Sequence, residues 1–253
     1  MDCQLLAARK SLRHKLVDIY HALDQFGPSL FPADLKQVGI QRLPMTLEES
    51  DGPQFFAQYT SAIEPPEESD SESTIRLDQD LYYNARSLAF LVNEFFQHCI
   101  LPNEEAFPPG VQYSDWGNFG FGHLVDVTQG SRWQLKSAYH MPESGGPHIV
   151  ALMFSEMASA KEAALFHGEI KTAIRIMHRR LNTSALRPNV IAPVLLFSAI
   201  GEHHLRVIEA YHDGEQLVMR TTPLFDLGKP HDSFLIKLTR WFLGGASSKS
   251  TKL

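Results

Sequence analysis

The chain reads as an α/β or α+β protein: a mixed sheet flanked by helices and preceded by a helical N-terminal section. Three observations predict this class. Long stretches with apolar residues every three or four positions occupy residues 1–26, 78–100 and 160–181. Between and after them the pattern changes to short apolar or alternating runs bounded by turn residues. With 253 residues and 43% hydrophobic content, the chain can bury a sizeable core in one large domain or one domain with an appendage.

In residues 1–26, Leu5, Leu6, Leu12, Leu16, Ile19, Tyr20 and Leu23 recur at helical spacing, with Arg9, Lys10, Arg13, His14 and Lys15 between them. Gly27-Pro28 ends this helix. Residues 1–47 form the expected helical N-terminal section, and 48–77 an acidic flexible loop. Residues 48–80 carry ten acids against Arg76 alone, a local charge of −9 within a chain of net −6, so the remainder sums to +3. An acidic segment thus masks a mildly basic body, and a local basic patch could still meet an anionic partner such as RNA.

The expected α/β core spans 78–243. A helix over Asp78–Ile100 carries Leu81, Leu88, Phe90, Leu91, Phe95 and Phe96 and stops at Leu101-Pro102. Residues 123–128 and 132–140, separated by Gln129-Gly130-Ser131, predict a hairpin. His148–Phe154 is apolar on both faces and should be a central strand. The helix Ala160–Leu181 buries Phe166, Ile170, Ala173, Ile174, Met177 and Leu181; Lys171, Arg175 and Arg179 should share its exposed face, with His178 and Arg180 beside them. Strands follow at Ile191–Ile200, Leu205–Tyr211 and Gln216–Arg220, the last two joined by the turn His212-Asp213-Gly214. A short helix near Phe234–Leu243 precedes a polar tail, 244–253, expected to be disordered.

Several function classes lose support here. No glycine-rich phosphate loop, Gly-x-Ser-x-Gly elbow or His-Glu-x-x-His helix is present. Cys3 and Cys99 are too few for a disulfide scaffold or a cysteine-built zinc site. No apolar run reaches a membrane span, and the N-terminus becomes charged too early for a secretory signal, so a cytoplasmic protein with no membrane partner is expected. His203, His204 and His212 are the nearest approach to a histidine cluster and read as exposed turn residues.

The order helix, hairpin, central strand, long helix and further strands resembles the PD-(D/E)XK nuclease superfamily. Gly122-His123-Leu124-Val125-Asp126-Val127 is similar to its acid-bearing strand, and Gln134-Leu135-Lys136 to its second half-motif. Residues two apart on a strand point the same way, so Gln134 and Lys136 can share a site. The resemblance implies Asp126 as a ligand to Mg and Lys136 as organiser of the attacking water. A second register places the half-motif at Glu156-Met157-Ala158, where alanine stands in the lysine position and the metal centre is broken. Both registers remain open. Glu156 can equally be a helix-entry carboxylate.

Val190 to Asp226 is similar to segments in a broad group of fungal proteins of unassigned chemistry, and some fungal proteins of this size from metabolite gene clusters are arginine-containing cyclodipeptide synthases. That resemblance implies a transferase that takes aminoacyl groups from charged tRNA and needs no cofactor, because the ester is already activated. It implies catalytic roles for Asp126, Glu156 and Glu209, positioning or proton transfer by Lys136, and RNA or substrate contacts from Gln134, Lys171, Arg175 and Arg179. The rival expectations are a divalent-metal nuclease and a non-catalytic module that binds nucleic acid or protein.

Overall fold

Strands rich in Ile, Val, Leu and Phe on both faces need cover on both faces, and the fold supplies it. The computed structural model describes residues 3–63, 85–99, 112–113, 133–140, 146–155, 161–228 and 232–252. The N-terminal helix α1 (Cys3–Ala22) is followed by β1 (Ser29–Leu30), α2 (Pro32–Gln37), β2 (Ile40–Pro44) and β3 (Phe56–Ala57). Next come α3 (Ala85–His98), β4 (Gln112–Tyr113), β5 (Trp133–His140) and β6 (Ile149–Ser155). The remainder comprises β7 (Leu165–Phe166), α4 (His167–Asn182), β8 (Val194–Ile200), β9 (His204–His212), β10 (Leu217–Thr221), β11 (Phe225–Asp226), α5 (Asp232–Phe242) and β12 (Gly245–Ala246).

The main sheet has the order β2-β10-β9-β8-β6-β5-β4, with β11 paired to β9 beyond β10. The pairs β2/β10 and β6/β8 are parallel and the other neighbours antiparallel, so the sheet is mixed. Strand β6 lies inside the sheet and is buried along its whole length, as its two-sided apolar pattern predicts. Its residues alternate between two cores. Ile149, Ala151 and Met153 join α1 and α4, whereas Val150, Leu152 and Phe154 join α3 and α5. The result is a mixed sheet between two helical layers, with the parallel β6–β8 connection made through α4.

Several local expectations are corrected. Helix α4 begins at His167, because Leu165 and Phe166 pair with Leu30 and Ser29. The Glu169 carboxylate then accepts a hydrogen bond from Phe166 N at 2.8 Å and satisfies a donor at the helix entry. Gly168 is required there: a Cβ would lie 2.6 Å from the Trp133 indole. The N-terminal section is no separate unit, since β2 is a strand of the main sheet and α1 shares the α4 core. Within the acidic segment, Phe55 and Phe56 are buried against α5, and just before it Leu47 O accepts from Trp241 Nε1; residues 64–77 lie outside the described residues.

The tail also departs from expectation. Gly245 and Ala246 pair with Ala57 and Phe56, Ser247 N donates to Phe55 O, and Val190 N and Ile191 N both donate to Thr251 O. Backbone hydrogen bonding, to which polar composition is indifferent, ties residues 244–252 to the body. His212 is likewise no exposed turn residue: it ends β9 and is buried, with Nδ1 accepting from Gly214 N.

Candidate functional site

The residues singled out from the sequence fall into three separate places. Asp126 and Glu156 lie outside the described residues, so the three places are those of the others. Gln134 and Lys136 are on β5. Glu209 is on β9, three strands away, and Lys171, Arg175 and Arg179 are on α4, against the opposite sheet face.

On β5 the pairing slips at Lys136: Leu135 opposes Met153 and Ser137 opposes Leu152, which leaves Lys136 as the extra residue of a bulge. Gln134 stands opposite Phe154, whose side chain packs in the α3–α5 core, so Gln134 faces the α3 side. Lys136 also turns to α3, its Nζ 3.2 Å from the centre of the exposed Phe90 ring. Both members of the half-motif thus lie on the α3 side of β5. Burial lowers the proton affinity of Lys136 and Arg86 lowers it further, while Glu94 opposes both.

Glu209 has other work. It stands opposite Arg220 in the β9–β10 register, and Arg220 Nη1 donates to Glu209 Oε2 at 3.1 Å and to Gly52 O at 2.5 Å. Its second oxygen accepts from Phe55 N at 2.7 Å. With no solvent exposure and both oxygens engaged, Glu209 pins the 51–56 segment to the sheet. A second buried pair lies on the other face: Arg206 Nε and Nη2 donate to Glu169 at 2.7 and 2.9 Å. Charges at Arg206 and Glu209 within an otherwise apolar strand were the sequence signal for both pairs; their partners were not readable.

The cations of α4 do not form one exposed line. Lys171 is buried, makes an ion pair with Asp24 and lies 4.4 Å over the Tyr20 ring. That hydrogen bond is the leading reason the Asp24 carboxyl titrates below its usual range. Arg175 is half-buried and Arg179 exposed. Helix α1 supplies what Lys171 does not. It runs antiparallel to α4, since Arg9 and Arg13 reach the α4 C-terminus while Tyr20 meets Lys171 near its start.

Arg13 Nη1 donates to Leu181 O and Asn182 Oδ1, both at 3.3 Å. His178 sits in the field of Arg13 and Arg175; burial first, then these two cations, lower its proton affinity. Lys10 and His14 are exposed on α1. The acids of these two helices are Asp18, which is exposed, and Glu169, which is buried. Arg13 and its neighbours went unrecognised because the basic run 9–15 shows only a helix face, not which helix it packs against.

Beneath this surface, Arg9 is buried and donates to the carbonyls of Leu181, Leu186 and Asn189, closing the α4 C-terminus with a cation. Arg180 is buried too, with donors to Pro147 O and Gly146 O, and burial lowers its pKa to about 10. No three His, Cys, Asp or Glu side chains among the described residues form a group able to hold a metal ion. None of the described helices is long and apolar enough to cross a membrane. The chain is therefore a mixed α/β protein with a cationic two-helix face and a lysine-bearing bulge on the opposite side. No protein-family model, curated protein or solved structure matches it.

Proposed function

We propose that this protein binds RNA through the α1–α4 face, with charged tRNA as the first ligand to test. The observation that carries the reading is the meeting of Arg13 from α1 with Arg175 and His178 from α4, on two helices whose one exposed acid is Asp18. A two-helix patch of cations with so little compensating charge suits a phosphate backbone, where affinity comes largely from counterion release. The test is tRNA binding across a salt series for the wild type and for Arg13→Ala/Arg175→Ala/Arg179→Ala. Lys171 is left intact because it is committed to Asp24. The triple variant should bind more weakly and show a flatter salt slope, by roughly 0.7–0.9 for each phosphate that is no longer neutralised. Equal slopes would remove this reading.

A second reading, acyl transfer from charged tRNA or metal-dependent phosphodiester cleavage, is favoured by Lys136. A half-buried lysine of lowered proton affinity, on a bulge and on the same side as Gln134, is placed to orient a nucleophile or move a proton. Lys136→Met should then abolish turnover while tRNA affinity and its salt slope stay unchanged. Sensitivity to a chelator separates cleavage from acyl transfer. Retained turnover in Lys136→Met would remove this second reading and leave RNA binding standing.

A further inference from the structure

The C-terminal strap carries a feature that the RNA-binding face does not use. Lys249 Nζ lies 4.4 Å from the centre of the Phe55 ring and 5.3 Å from that of Tyr211, and it donates to Gln54 Oε1. The two rings are themselves in contact, 4.8 Å between centroids and inclined at 59°, and form two walls of a corner. Among the described residues Lys249 makes no ion pair. Its ammonium is held by two aromatic faces and one amide oxygen. From the geometry we infer that Gln54, Phe55 and Tyr211 form a binding site for a primary alkylammonium group, which the chain's own Lys249 occupies in cis.

The surroundings suit a cation. Ring faces attract positive charge through their quadrupoles, and the amide oxygen accepts one N–H. Tyr211 follows the buried Glu209 by two residues on β9 and precedes Asp213 by two; burial first, then Glu209, raise the Tyr211 pKa, Arg220 lowers it, and Asp213 adds to the rise. The corner is rigid. Phe55 N is bonded to Glu209, and Phe55 O accepts from Ser247 N at 2.9 Å. The occupant is the replaceable part. Lys249 is exposed and lies between two anchors, Ser247 with Oγ donating to Gln54 O at 2.5 Å, and the buried Thr251 with its carbonyl on Val190 N and Ile191 N. These anchors use groups other than the Lys249 side chain. That side chain can therefore leave the corner while the strap stays in place, and an ammonium on an alkyl chain can enter.

In the wild type the tethered lysine competes at high effective concentration, so free amines should bind poorly. The test titrates wild type and Lys249→Ala with n-butylammonium, with n-butanol as the uncharged control, and follows the Phe55 and Tyr211 ring signals by NMR. Lys249→Ala should bind the amine about tenfold more tightly than the wild type, ignore butanol, and lose the gain when Tyr211→Leu is added. Equal amine affinity in wild type and Lys249→Ala would overturn the inference, as would equal response to butanol. A second measurement needs no variant. The Lys249 ε-methylene protons of the native chain should be shifted upfield by the two rings, and added n-butylammonium at high concentration should move them towards their free position. Unshifted ε-protons would show the corner empty and overturn the inference equally.

Discussion

Glu169 and Arg206 test the mixed sheet where it is most exposed to failure. Both side chains have zero solvent exposure. Arg206 donates twice to the carboxylate and once, through Nη1, to Ala164 O at 2.9 Å, while Phe166 N donates to the same carboxylate. Glu169→Gln keeps the shape and removes one charge, leaving a fully buried guanidinium against a neutral amide. Such half-broken buried pairs cost about 3–5 kcal/mol, a large share of the roughly 5–15 kcal/mol that holds a domain folded. Arg206→Met should cost a similar amount, because the carboxylate then stays buried with Phe166 N as its remaining donor among the described residues. Removing both charges in Glu169→Gln/Arg206→Met leaves mainly orphaned polar groups, Ala164 O among them, at about 1–3 kcal/mol. The double variant should therefore be more stable than either single one. Urea unfolding followed by far-UV circular dichroism reads this directly. With a slope of about 2–3 kcal/mol per molar, each single variant should lose more than about 1 M in midpoint. Additive losses, or single losses below about 1 kcal/mol, would refute the claim that the pair acts as one buried unit.

Ending the chain after Leu243 removes the β12 pairing and the Thr251 carbonyl that holds Val190 N and Ile191 N, and should lower the thermal midpoint by roughly 5–12 °C if about 2–4 kcal/mol is lost. A midpoint within about 2 °C of the full chain would show that the strap adds nothing. Acid should destabilise the protein through His148, which is buried against Phe56, has neither ring nitrogen hydrogen-bonded among the described residues, and has its pKa lowered to about 4 by burial and then by Arg180. Because the folded value lies below the unfolded 6.5, the unfolded state takes up the proton first. Stability is then complete above about pH 6.5 and falls as the pH drops towards 4, by about 3 kcal/mol for this residue. Denaturant midpoints measured from pH 7 to 4 should fall less steeply in His148→Leu; identical slopes would remove His148 from the acid transition.

Period and composition were enough to read the layers. Two-sided apolar runs such as 149–155 had to be central strands, and the stripes of α1, α4 and α5 had to be helix faces turned to a core, because burying apolar surface is the strongest local demand on the chain. The mixed α/β class follows from those demands alone. Tertiary structure decided what polar residues do, since a charge finds its partner through space. It made Lys171 the partner of Asp24 and Glu209 the partner of Arg220, and it brought Arg13 to Arg175 and His178. It also gave the tail its place: strand pairing and a carbonyl shared by two N–H groups order 244–252 despite a composition that suggests disorder. Sequence periodicity shows which face of an element is apolar; only the folded chain shows which charges meet across it, because that depends on strand order and helix direction.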